Sequence, residues 1–104
     1  MRLLEINQTP DIDRKIEAAK HELDFLSDVI RRAWDKKFVT YWNYNTEVPK
    51  GKFFYEEYEE GKWRYVVFTN RTDIRIRDSL RRTWNRLQKI KGKYAELLQL
   101  KGQA

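Results

Sequence analysis

Aromatic residues crowd into one third of this chain, and that crowding limits its fold more than any other feature. Eleven of the fifteen lie between Phe38 and Phe68, in the segments KFVTYWNYN, KFFYEEY and KWRYVVFTN. Aromatic and β-branched side chains suit the pleated, half-buried surface of a sheet. Turn chemistry separates the three runs. Val48-Pro49-Lys50-Gly51 has proline early and glycine late, and Glu59-Glu60-Gly61 suits a three-residue hairpin loop with Gly61 left-handed. Together these signals predict a three-stranded antiparallel meander within about 38–70. In that register Tyr58 faces Lys62, Glu56 faces Arg64 and Tyr55 faces Tyr65, so Phe53, Tyr55, Trp63, Tyr65 and Val67 share a face. A two-residue loop at Glu60-Gly61 shifts the pairing and mixes the faces.

Helical periodicity flanks the aromatic third on both sides. Ile12, Ile16, Ala19, Leu23, Leu26, Ile30 and Ala33 recur at alternating steps of four and three, the repeat of a helix–helix seam. Phe25, Val29 and Trp34 widen that stripe. Thr9 as cap, Pro10 at the first helical position, and Asp11 and Asp13 in the first turn predict a start near residue 10. The helix is expected to cover about 10–37. A second helix, about 73–100, follows from Ile76, Leu80, Leu87, Ile90, Tyr94 and Leu97, with Thr83 filling the gap. Gly92 lies inside this run and is expected to weaken or kink it. The class is therefore α+β in the order α-β-β-β-α, a meander flanked by two long amphipathic helices. At 104 residues it is expected to be a single domain spanning 1–104. The helices outrun strands of this length, so their ends are expected to pack on each other or on a second subunit. A homodimer is the corresponding oligomeric expectation.

Charge is distributed unevenly. Residues 11–37 carry seven acids and seven bases; residues 38–70 carry five acids and four bases; residues 71–104 carry three acids and ten bases. The last segment alone accounts for the net charge of +6, and a one-segment excess marks a face that meets an anion. Arg75, Arg82, Arg86, Lys89 and Lys93 follow at steps of seven, four, three and four, which places them on one side of the second helix. Arg71, Arg77, Arg81 and Lys91 add charge nearby. Arginine favours bidentate contacts to phosphates and base edges.

Classical catalysis has little to work with. Cysteine is absent, and His21 is the only histidine. A zinc-protease helix beginning at His21-Glu22 would need histidine where Phe25 stands. Glu17, His21, Asp24 and Asp28 share one helix face, but that face lies opposite the apolar seam and reads as a solvated acidic surface. A carboxylate-based nuclease built on Glu17, Asp24 and Asp28 is the sole enzymatic alternative, and it would lack a water-excluding cleft. No glycine-rich phosphate loop is present and no cofactor is expected. Glu17, Asp24 and Asp28 are near the spacing that shares a cation, but a bound metal would need ligands from another helix or chain, so none is expected. The N-terminal stretch lacks a secretory signal's apolar core, and no apolar run is long enough for a membrane span, so a cytoplasmic location is expected.

These features predict a non-enzymatic nucleic-acid-binding protein whose contacts come from Arg71, Arg75, Arg81, Arg82, Arg86, Lys89 and Lys93, with DNA and RNA equally open. The alternative is a small inhibitor or adaptor, of the size of phage and mobile-element accessory proteins, that docks on an acidic surface of a larger protein. In that case Tyr41, Tyr55, Tyr58 and Trp63 would be the anchors.

Overall fold

A computed structural model describes the backbone of residues 2–42 and 47–103, and the side chains of residues 11–42 and 47–102. The element order is α1 (Arg2–Asp35), β1 (Val39–Trp42), β2 (Phe53–Glu59), β3 (Lys62–Phe68) and α2 (Ile74–Gln103). The chain divides into two compact units, Met1–Asp28 with Trp84–Ala104, and Val29–Thr83.

In the first unit the helices pair antiparallel. Ala19, Leu26, Leu87, Ile90 and Leu97 are buried there, while Ile12, Ile16, Leu23 and Tyr94 are half-buried. The pairing is pinned by Arg86 to Glu22 at 2.7 Å and Lys101 to Asp13 at 2.6 Å. Phe25 departs from the expected stripe: it is 67% exposed. A residue two after Leu23 and one before Leu26 falls beyond the narrow a/d seam. Helix α1 also starts earlier than the Thr9–Pro10 punctuation indicates, because Arg2–Asp35 is helical throughout. Leucine, glutamate and glutamine before Pro10 are good helix formers, and they offset the N–H that proline lacks. Gly92 remains within α2 without a break.

The second unit carries the sheet, whose strand order is β1-β3-β2. All pairs are antiparallel, but the meander is only partial: β2 and β3 form a hairpin, and β1 joins the other edge of β3. Val66, Val67 and Phe68 of the central β3 are at most 3% exposed, whereas β2 carries Glu56, Glu57 and Glu59. The acidic strand takes an edge, where charge discourages further pairing. Residues 43–45 of the expected first strand lie outside the described residues.

Both turns differ from the sequence reading by about one residue. Glu59 pairs with Lys62, so the hairpin loop is the two-residue Glu60-Gly61. Their φ values of 52° and 78° are those of a type I′ turn, whose twist matches the strands. Tyr58 therefore faces Trp63, Glu57 faces Arg64, and Glu56 faces Tyr65. The earlier turn runs from Pro49 to Lys52, closed by Lys52 N–H donating to the Pro49 carbonyl at 3.1 Å. Gly51, at φ 84°, occupies the position that a type II turn reserves for glycine.

A bulge at Phe54 completes the sheet, because Phe53 pairs with Val67 but Tyr55 with Val66. The extra residue lets Phe54 and Tyr55 point to the same side. That side also carries Val39, Tyr41, Glu57, Arg64, Val66 and Phe68 by register, and it receives the helices. Phe54 packs on Phe68 at 5.0 Å between ring centroids, and Trp34 of α1 meets Tyr41 at 4.8 Å. Phe53, Glu56, Tyr58, Trp63, Tyr65, Trp42 and Val67 occupy the outer side. The expected grouping of Tyr55 with Trp63 and Tyr65 is thus replaced.

Candidate functional site

Helix α2 begins where its sequence provides a cap. The Asp73 carboxylate accepts the Ile76 N–H at 2.9 Å, and its backbone carbonyl accepts the Arg77 N–H at 3.0 Å. Asp73-Ile74-Arg75-Ile76-Arg77 alternates polar and apolar residues as a short strand would, yet it is helical from Ile74 onward. The preceding loop is fastened to the start of β1. Thr72, buried at 2% exposure, donates its hydroxyl to the Phe38 carbonyl at 2.6 Å, and Thr69 N–H donates to the same carbonyl at 2.9 Å. Arg71 and the first turns of α2 are thereby held against a fixed edge of the sheet.

The basic residues of this segment divide into two groups. Arg71, Arg75 and Arg82 in the sheet-bearing unit, and Lys89 and Lys93 in the helical pair, are exposed. None of the five has a side-chain hydrogen bond or ion pair among the described residues. Arg81 and Arg86 belong to the other group. The Arg81 guanidinium donates to the Gly51 and Phe53 carbonyls, both at 3.1 Å, and lies 5.0 Å above the Phe68 ring. It ties α2 to the edge strand. Arg86 is held by Glu22, which raises its already high pKa through a hydrogen bond and opposite charge. Arg77 is occupied too: its Nε donates to the Thr72 carbonyl at 3.2 Å.

The four aromatic anchors of the alternative reading also divide. Tyr41 and Tyr55 sit on the helix-facing side, half-buried. A hydrogen bond to Glu57, followed by burial, raises the Tyr41 pKa despite Arg64 5.1 Å from its ring. Burial is the main cause of the rise at Tyr55, and a hydrogen bond with Trp34 opposes it. Tyr58 and Trp63 are exposed on the outer side, 63% and 60%, with ring centroids 5.3 Å apart. Glu56 and Glu60 are exposed beside them.

The acidic face of α1 offers no metal geometry: among the described residues no group of three or more His, Asp or Glu is placed to hold an ion. His21 approaches Glu17 at 3.8 Å, both well exposed. Among the described residues, no helix is long and apolar enough to cross a membrane. No family model, curated protein or solved structure matches the chain.

Sequence periodicity placed these cations, Arg71 apart, on one helix, but it does not reveal which are occupied. The carbonyls that engage Arg81 come from a turn and a strand about thirty residues away. A basic i,i+7 spacing carries no information about them.

Proposed function

We propose that this protein binds nucleic acid without catalysing a reaction, holding phosphates through Arg71 and the exposed cations of α2. The observation that carries this reading is the set of five exposed cations, Arg71, Arg75, Arg82, Lys89 and Lys93, without carboxylate partners among the described residues. Neighbouring arginines are consumed by carbonyls or glutamate. Unpaired cations release condensed counterions when they meet phosphates, the main driving force for sequence-independent binding. Arg75 and Arg82 stand about 10 Å apart along α2, a distance over which a duplex presents several phosphates. Arg81 and Arg86 support this surface rather than form it.

Gel retardation with duplex DNA, single strands and structured RNA tests the reading. Reversing charge in Arg75→Glu/Arg82→Glu/Lys89→Glu is expected to abolish retardation while circular dichroism stays unchanged. Failure of the unaltered protein to retard any of the three at low salt would refute it.

One observation favours the adaptor reading in its place. The Tyr58–Trp63 pair is exposed, and Glu56 and Glu60 beside it would repel phosphates. There the outer sheet face would anchor a protein partner while the basic helix meets that partner's acids. A stoichiometric partner that survives nuclease treatment and is lost with Trp63→Ala would support this reading. The homodimer is carried as part of the same question, with light scattering as its test.

A further inference from the structure

Between the last turns of α1 and the first turns of α2, within the sheet-bearing unit, lies an open cleft of about 370 Å³. Its floor is apolar: Val29 and Ala33 from α1, Ile76 and Leu80 from α2, and Phe38 from the start of the sheet. Its rim is cationic, with Arg32, Lys36 and Arg75. Ser79 completes the lining, and no carboxylate is part of it.

Helix periodicity produces this separation of apolar floor and charged rim. Val29 and Ala33 are four apart, as are Ile76 and Leu80, so each helix turns one apolar pair inward. Arg32 and Lys36, and Arg75 and Ser79, repeat the same spacing one position earlier or three later, and so fall along the lip. The end of α1 closes the floor. Phe38 N–H donates to the Ala33 carbonyl at 2.9 Å, and Lys37 N–H to the Trp34 carbonyl at 3.0 Å. This is a Schellman cap, with Lys37 left-handed at φ 61°. Such a cap brings the residue after the left-handed position back onto the last turn, here Phe38 onto Ala33.

We propose that this cleft binds a small amphiphilic organic anion, an acyl or aryl body bearing one carboxylate or phosphate. The floor provides area for the body, and its volume falls at the low end of small-molecule sites. Exposed Lys36 and Arg75, without side-chain partners among the described residues, provide charge for the head group. A nucleobase fits less well, because the Ser79 hydroxyl is the only uncharged polar side chain lining the cleft. Nucleobase edges are read by several such groups. This inference is independent of the phosphate-binding surface, with which the cleft shares only Arg75.

The test uses anilinonaphthalene sulfonate as a fluorescent probe and decanoate as competitor. Saturable one-to-one enhancement is expected, displaced by decanoate but not by equal concentrations of decanol or decyltrimethylammonium. Ser79→Trp, an exposed position that fills the cleft, should weaken probe binding at least tenfold without loss of oligonucleotide binding. Arg75→Glu should weaken it similarly by reversing the rim charge, and it remains informative if the tryptophan variant misfolds. Unchanged probe binding in both variants would overturn the proposal and assign the probe to the outer aromatic face. Equal displacement by decanol would overturn the head-group role. Sedimentation with phosphatidylglycerol vesicles, if abolished by Ser79→Trp, would overturn a free ligand in favour of a membrane head group.

Discussion

Lys37 occupies a left-handed position that glycine adopts without strain, at φ 61°. For an L-residue this conformation costs about 1–2 kcal/mol. Lys37→Gly is therefore expected to stabilise the fold by about 1 kcal/mol, reduced somewhat by glycine's greater freedom when unfolded. The corresponding rise in Tm in a thermal melt is about 4–8 °C for a domain of this size. No change or a decrease would contradict the capping account. Tyr41 and Tyr55 make a prediction in pH. Both pKa values are raised in the fold, chiefly by the Glu57 hydrogen bond at Tyr41 and by burial at Tyr55. A group that holds its proton more tightly when folded contributes stability below its unfolded pKa. That contribution disappears as pH rises through the folded value. Melting temperature should thus fall steeply once pH passes the ordinary tyrosine range, about 10. The Tyr41→Phe/Tyr55→Phe double variant should show a shallower fall, and an identical profile would remove these two residues from the account.

At the scale of elements, α2 combines structural and unoccupied arginines on adjacent turns. Arg81→Ala removes two charged hydrogen bonds to carbonyls at the edge of the sheet, and it should cost roughly 1–3 kcal/mol in chemical denaturation. Arg82→Ala, one residue on, should leave stability within about 0.5 kcal/mol. Gly92 lies in the helix with open space around its missing side chain, so Gly92→Ala is expected to add about 1 kcal/mol. Both helices were legible from the spacing of Leu26, Ile30 and Ala33 and of Leu80, Leu87 and Ile90, all of which are buried. The three strands were legible from their aromatic content. Their order was not, because the turns point only to sequential neighbours and nothing in the local pattern says that β1 pairs with β3. The bulge at Phe54 was hidden for a similar reason: a single extra residue leaves no mark on an already continuous aromatic run. The two-residue Glu60-Gly61 turn was legible as the alternative to a three-residue loop, but Glu60, an ordinary residue in a left-handed position, gave no reason to choose it.

For the molecule as a whole, the sheet-bearing unit has two unlike surfaces. Its α2 and the loop before it present Arg71, Arg75 and Arg82, and its outer sheet face presents Tyr58 and Trp63 beside Glu56 and Glu60. The basic segment was evident from composition alone, whereas the division of its cations into occupied and unoccupied required the fold. The central claim is that the unoccupied set meets phosphates, and the salt dependence of binding tests it most directly. Fluorescence anisotropy of a labelled oligonucleotide gives log K against log salt, which falls by about 0.9 for each duplex phosphate neutralised. The account predicts that Arg71→Ala/Arg75→Ala/Arg82→Ala reduces the steepness of that line by about 3, with Arg81→Lys changing stability more than slope. An unaltered slope in the triple variant, or no binding by the parent protein at low salt, would contradict it.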